Sequence, residues 1–248
     1  KGEQIMDLMG KNALVTGSGI RLGRAIALAL GQAGCNLALH YNSSVESVAQ
    51  VKSELVKMGR KALTFQQDLE ETSHVQDLMS RVCAEFGHVD ILINNAGIYP
   101  PGYGKAATPE KIYRVFNVNL FSPWLLISAF ANQLPKGMQG KVINISDGKV
   151  FRNGTDHFGY RITKQGINAI TEMFALELAP NITVNAIAPG TMLPLQGYEH
   201  VDLQVVADRQ IPLRRIGSPE IIAQNVLHIL SQDFMTGHVL RVDGGEFL

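Results

Sequence analysis

The sequence predicts an α/β fold: one doubly wound parallel sheet flanked by helices, built as a single domain. Three observations lead there. Short apolar runs alternate with helical stretches of about 10–15 residues, the pattern of βαβ units whose strands run parallel and are covered on both faces. A glycine-rich turn joins the first apolar run to the first helix. The chain's 248 residues, 46% apolar and 18% charged, suffice for a large α/β domain with a proper core and exclude a disordered chain.

The elements follow in order. Ala13-Leu14-Val15-Thr16 is a short apolar run ending at Gly17, a buried strand and a turn. Gly23 to Ala33 is rich in Ala and Leu and stops at Gly34, which marks a helix. Leu37 to Tyr41 is a second strand, and Asn42-Ser43-Ser44 are suited to cap a helix from Val45 to Met58. Ala62 to Phe65 and Thr72 to Phe86 repeat the pattern, and Asp90 to Ile93 is a fourth strand. Two helical stretches follow, Pro109 to about Asn119 and Pro123 to Gln133. Lys141 to Ile145 is a fifth strand and Tyr160 to Leu178 a long amphipathic helix. Thr183 to Ile187 and His238 to Val242 are the last strands. Between them lie an irregular stretch, Gly190 to Gly217, and a helix near Pro219 to Leu230.

Charge narrows the function classes. Lys and Arg number 22, as do Asp and Glu, and such a neutral chain without a basic run lacks the footprint of a nucleic-acid binder. No apolar stretch approaches the ~18 residues of a membrane span, and Lys1 to Gly10 lacks the apolar core of a signal peptide. Cys35 and Cys83 sit in apolar segments without metal-binding spacing, as reduced core residues of a cytoplasmic protein would.

Two motifs carry chemistry. The turn Thr16-Gly17-Ser18-Gly19-Ile20-Arg21-Leu22-Gly23 lets the backbone approach a pyrophosphate at a helix N-terminus, where free N–H groups and the helix dipole favour an anion. A plain strand-to-helix turn is the bland alternative. Tyr160 and Lys164 stand at i and i+4, on one helix face. An ammonium beside a phenol favours the phenolate and lowers its pKa from about 10, making Tyr160 a general acid/base; the alternative is a solvated pair.

These motifs occur in order with Asn94-Asn95-Ala96-Gly97, Asn119, Pro189-Gly190 and Val242-Asp243-Gly244-Gly245. Together they resemble the short-chain dehydrogenase/reductase family over essentially the whole chain. The resemblance implies a Rossmann-type fold over residues 1–248, a nicotinamide cofactor, and hydride transfer with Tyr160 as proton donor. It implies that Lys164 holds the nicotinamide ribose and that Asn119 supports a proton relay through water. It places Gly17, Leu22, Asn95, Ala96, Gly97, Pro189 and Gly190 against the cofactor. It also implies a homo-oligomer, a tetramer by preference, built through the helices at Pro109 to Gln133 and Tyr160 to Leu178.

Two departures narrow the substrate. The family's serine, 13 residues before the tyrosine, is Asp147 here. Ser146 is adjacent, but neighbours in an extended chain face opposite ways. An ionised carboxylate only accepts hydrogen bonds, so either Asp147 is protonated or the substrate presents N–H donors, as a nitrogen heterocycle does. The alternative is a dead site or a cap before Gly148. Arg21 replaces the usual turn glycine, and its planar fork fits phosphate or a π-rich ligand; an exposed arginine is the alternative. Arg21 and Asp147 with Tyr160 and Lys164 resemble the pteridine reductase branch. That branch implies that Tyr99 sandwiches a pterin, where the bland reading leaves Tyr99 lining a loop. Gly97 departs from the serine common there.

No acid before Glu46 follows the second strand to bind a ribose 2′-OH. Tyr41, Asn42 and Ser43 stand there instead, which favours NADP(H). Asp68-Leu69 matches the family's adenine-contacting pair, or caps a turn. Residues 191–217, with Met192, Leu193, Leu195, Tyr198, Arg214 and Arg215, are expected to form a substrate lid. His157 and His200 are within possible reach of the site. The expected reaction is NADPH-dependent reduction of a C=N bond in a pterin, dihydropterin or dihydrofolate-type substrate. The alternatives are a carbonyl reductase acting on a 3-oxoacyl thioester, sugar or other ketone, and a non-catalytic NADP(H)-binding sensor or scaffold.

Overall fold

The computed structural model describes residues 6–194 and 200–248. The chain runs β1 (Asn12–Val15), α1 (Arg21–Gln32), β2 (Asn36–Tyr41), α2 (Val45–Lys57), β3 (Ala62–Gln66), α3 (Val75–Phe86) and β4 (Ile91–Asn94). It continues through α4 (Pro109–Phe116), α5 (Ser122–Gln133), β5 (Gly140–Ile145), α6 (Phe158–Leu178) and β6 (Ile182–Pro189). It closes with α7 (Leu203–Gln210), α8 (Pro219–Leu230) and β7 (Val239–Val242). The strands form one sheet, ordered β3-β2-β1-β4-β5-β6-β7, and every described pairing is parallel. The predicted doubly wound sheet is therefore present. Strand order reverses between β1 and β4, and the crevice at their carboxyl ends is where open α/β sheets bind ligands.

The strands read as unbroken apolar runs because each face of the sheet is buried against a different set of helices. Along β1, Ala13 and Val15 join the core under α1, α2 and α8, while Leu14 points into the core under α3, α5 and α6. Leu37 and Leu39 alternate with Ala38 in the same way, and Ile91 and Ile93 with Leu92. That is the two-residue period of a strand.

Several elements differ from expectation. The stretches at Pro109 and Pro123 are fused: α4 passes through a π turn, Asn117–Phe121, straight into α5. The fused run Pro109–Gln133 is long and apolar enough, at mean hydropathy 1.2, to meet a membrane-span criterion, contrary to the reading of the separate segments. Its Val115, Val118, Leu126, Ile127 and Phe130 are buried in the protein core. The stretch read as irregular contains α7, which buries only Ala207 along its length and is capped by Asp202 accepting from Gln204 N–H. With so few buried positions it has no apolar stripe to reveal it. Ser44 occupies the N-cap of α2 but makes no side-chain cap bond. Both cysteines are free, and burial pushes the Cys35 thiol up to about 12.

Candidate active site

The glycine turn is held by side chains just past β1 and β4 and by one from β2. Thr16 Oγ1 accepts from the N–H groups of Asn95 (2.9 Å) and Ala96 (3.0 Å), and Asn95 Nδ2 donates to the carbonyls of Thr16 and Gly17. Gly17 has φ +63°, a conformation that favours glycine. A Cβ on Gly23 would lie 2.0 Å from Gly17 O and 2.5 Å from Asn95 Nδ2, so only glycine lets α1 pack this closely on the turn. No side chain caps the N-terminus of α1, leaving first-turn N–H groups to meet an anion.

One residue of this cradle escaped the sequence reading. His40, buried in β2, accepts from Gly17 N–H at Nδ1 (3.1 Å) and donates from Nε2 to Gln67 O (2.9 Å). A single neutral tautomer satisfies both bonds, and burial lowers its pKa to about 4. Only its place beside the turn, a tertiary fact, separates it from any core histidine.

Around the turn lies a cavity of about 640 Å³. Gly17, Arg21 and Leu22 line it from the turn, and Tyr41, Asn42 and Ser43 from the end of β2. Asp68 and Leu69 line it beyond β3, Asn95, Ala96 and Gly97 beyond β4, and Pro189 and Gly190 beyond β6. Asp68 also accepts from Glu70 N–H at 2.9 Å, so it caps its turn while facing the cavity. Ser122 Oγ and Asn117 Nδ2 donate to Leu69 O and Glu70 O, tying this loop to the π turn.

Asp147, Tyr160 and Lys164 reach the same cavity. Tyr160 Oη donates to Asp147 Oδ2 at 2.6 Å, and Asp147 Oδ1 accepts from Lys149 N–H at 2.7 Å. Asp147 therefore caps the 3-10 turn at Gly148–Phe151 while its other oxygen accepts from the tyrosine. Ser146 points the other way, donating to Asn168 Oδ1 at 2.6 Å, so it does not replace the missing serine.

The lysine–phenol electrostatics reverse the expectation. Lys164 Nζ donates to Ile145 O at 2.6 Å and lies 5.7 Å from the Tyr160 ring centroid. Burial, then the charge and hydrogen bond of Asp147, push the Tyr160 phenol well above its ordinary value. Burial meanwhile lowers Lys164 to about 8. Burial and a carboxylate in contact with the hydroxyl raise the phenol, while the ammonium is committed to a carbonyl. Asn119, in the π turn, bonds the backbone of Ile98 in both directions, through Ile98 N–H (2.8 Å) and Ile98 O (2.9 Å). Its side chain therefore braces the loop beneath Gly97, where a Cβ would come 3.8 Å from Lys164 Nζ.

Tyr99 lines the cavity with its ring edge-on to Tyr160, centroids 4.6 Å apart at 88°. His157 is stacked on it at 3.7 Å. Arg21 adopts φ +51° and donates to Pro194 O at 2.8 Å, which fastens the turn to the start of the expected lid. Met192, Leu193, Leu203 and Val206 line the cavity; Arg214 and Arg215 do not. His200 is also absent from the lining. Leu195 and Tyr198 lie outside the described residues. Two more wall residues were missed. Glu246 accepts from Thr191 N–H (2.7 Å) and Oγ1 (2.9 Å), and Phe247 packs where a Cβ on Gly148 would meet it at 2.4 Å. Both directly follow the Val242-Asp243-Gly244-Gly245 motif, but nothing in that motif says that the next two side chains turn back to the cavity.

A family described as enoyl-(acyl carrier protein) reductase matches residues 17–246. The 2-dehydro-3-deoxy-D-gluconate 5-dehydrogenase of Escherichia coli (strain K12) is 34% identical, over 96% of each chain. The 3-oxoacyl-[acyl-carrier-protein] reductase FabG of Staphylococcus epidermidis is 31% identical, over 97% of this chain and all of its own. Among solved structures, FolM alternative dihydrofolate reductase 1 from Brucella canis complexed with NADP superposes with TM-score 0.92 at 29% identity, covering 97% and 95% of the two chains. A short chain dehydrogenase from Burkholderia cenocepacia J2315 in complex with NADP gives 0.91 at 28% identity, covering 98% and 100%.

Proposed function

Since the chain belongs to the short-chain dehydrogenase/reductase family of oxidoreductases, we propose that it is an NADPH-dependent reductase of a C=N bond in a pterin, dihydropterin or dihydrofolate-type substrate. The observation that carries this is the 2.6 Å bond from Tyr160 Oη to Asp147 Oδ2. A carboxylate in that place accepts hydrogen bonds from ring N–H groups and repels a developing alkoxide. The likeness to FolM alternative dihydrofolate reductases supports the same substrate class.

The cradle fits the cofactor. Gly17 and Gly23 leave room for a pyrophosphate at the uncapped end of α1, and no carboxylate among Tyr41, Asn42, Ser43 and Ser44 repels a 2′-phosphate. Gly97, Pro189 and Gly190 would flank the nicotinamide, Lys164 its ribose, and Asp68 and Leu69 the adenine. When bound, the cofactor supplies a hydride to the substrate carbon.

The raised phenol pKa suits reduction. Tyr160 holds its proton at neutral pH and delivers it from Oη to the substrate nitrogen. The nitrogen left by hydride addition is far more basic than phenolate, so the transfer is downhill even from a weak phenol acid. Asp147 orients the hydroxyl and accepts from the substrate's N–H groups. Asn119 supports the relay by holding the Ile98 loop beside Lys164. Arg21 serves the cofactor phosphates and, through Pro194, the lid at residues 191–217, whose Met192, Leu193, Leu203 and Val206 exclude water. Exposed Tyr113, Trp124, Met173 and Leu176 on α4, α5 and α6 are the contact face of a homo-oligomer, a tetramer by preference.

A carbonyl reductase is the second reading, favoured by relatives such as the 3-oxoacyl-[acyl-carrier-protein] reductase. A substrate panel separates the two. Loss of NADPH absorbance is expected to be fast with dihydrobiopterin or dihydrofolate and slow with acetoacetyl thioesters and simple ketones. The opposite ranking overturns the pterin assignment.

A further inference from the structure

One face of the Tyr99 ring is already taken. The His157 imidazole lies parallel to it, with centroids 3.7 Å apart and planes inclined by 13°. Two independent features hold that imidazole. Nδ1 donates to Pro100 O at 2.9 Å, anchoring the ring to Tyr99's own chain neighbour. The His157 backbone is left-handed, φ 47° and ψ 44°, at the N-cap of α6. Few non-glycine residues adopt this conformation, with Asn, Asp and His the most frequent among them. Histidine makes no side-chain capping bond in return. Strained residues fixed by several contacts cluster at functional sites, and this one stands three residues before Tyr160.

We infer that His157 is a specificity-determining positioning residue: its imidazole backs Tyr99 and holds that ring edge-on to Tyr160, as a rigid wall selecting flat, nitrogen-rich heteroaromatic substrates. The inference rests on the reductase reading for its substrate class. The stack closes one face of Tyr99 and leaves the cavity-side surface for the ligand. A flat heterocycle gains from a fixed aromatic wall at the proton donor, whereas a small aliphatic ketone has no ring to set against it. An aromatic pair of this kind is worth about 0.5–1.5 kcal/mol, or roughly 2- to 12-fold in affinity.

Two variants separate stacking from backbone. His157→Asn keeps a left-handed residue and removes the stack, whereas His157→Phe keeps an aromatic face and removes the Pro100 bond. For His157→Asn, KM for dihydrobiopterin is expected to rise about 3- to 10-fold, with little change in kcat, in the Kd for NADPH, or in KM for a small aliphatic ketone. His157→Phe is expected to recover most of the KM. An unchanged KM in His157→Asn overturns the inference, as does an equal rise for the ketone or a His157→Phe enzyme as impaired as His157→Asn. A substrate-free crystal structure of each variant gives a readout independent of turnover. Tyr99 should stay edge-on to Tyr160 in His157→Phe and rotate away in His157→Asn; an unmoved ring in His157→Asn overturns the inference. A wild-type enzyme inert toward dihydropterins would overturn the substrate reading, while the ring geometry still decides the role of His157.

Discussion

Burial, and then contact with the Asp147 carboxylate, raise the Tyr160 phenol. The carboxylate touches the hydroxyl, while the ammonium is turned to Ile145 O. In the ligand-free protein, therefore, Lys164 rather than Tyr160 should change charge in the alkaline range. Nitrogen NMR of Lys164 Nζ should titrate near 8, with no tyrosinate absorbance from Tyr160 below its ordinary 10.0. A Tyr160 titration near neutrality would reverse this account. Tyr160→Phe should lower kcat by about 10²- to 10⁴-fold with NADPH affinity intact, measured by nucleotide fluorescence. Asp147→Ser restores a hydroxyl donor for a ketone oxygen, and should shift kcat/KM away from dihydropterins toward ketones. The Tyr160/Lys164 pair was legible from spacing, the missing serine and Asp147 from the resemblance to the short-chain family, and the turn of Ser146 away from the site from strand alternation. The sign of the phenol shift was not, because it depends first on burial of the ring and then on which neighbour touches the hydroxyl.

At the scale of elements, the β1–α1 turn depends on close packing between segments distant in the chain. Gly23→Ala puts a Cβ against Gly17 O and the Asn95 amide. It should destabilise the protein by about 1–3 kcal/mol and abolish NADPH binding, which thermal unfolding with and without nucleotide would measure. The strands and long helices were readable because their apolar periodicity is imposed by burial on one or both faces. Fusion of α4 with α5 was not readable. The π turn that joins them is stabilised by distant partners, Asn119 on Ile98 and Ser122 on Leu69. The short α7 was hidden for the opposite reason, burying too little to impose a pattern.

Across the whole molecule, His40 links the cofactor cradle to stability. Its pKa is about 4 in the fold and near the ordinary 6.5 when unfolded. Between those values the unfolded chain binds more protons, so the His40 contribution is complete above 6.5 and is lost as pH falls toward 4. The loss amounts to about 3 kcal/mol. Urea unfolding should show this loss in the wild type and a flatter profile in His40→Phe, which also leaves Gly17 N–H unpaired and should weaken NADPH binding. Ligand that binds only the folded protein raises its melting temperature, and NADPH should do so more than NADH if the region from Tyr41 to Ser44 receives a 2′-phosphate. By itself the sequence determined the strand–helix alternation, the parallel sheet, the glycine cradle and the positions of Asp147, Tyr160 and Lys164. These follow from local periodicity, from spacing along single elements and, for Asp147, from the resemblance to the short-chain family. Tertiary structure alone decided that burial and Asp147 raise the phenol, that His40 fastens the turn, that His157 backs Tyr99, and that Glu246 and Phe247 wall the cavity. Each of those depends on distance in space, and Coulomb and packing forces act through that distance rather than through sequence separation.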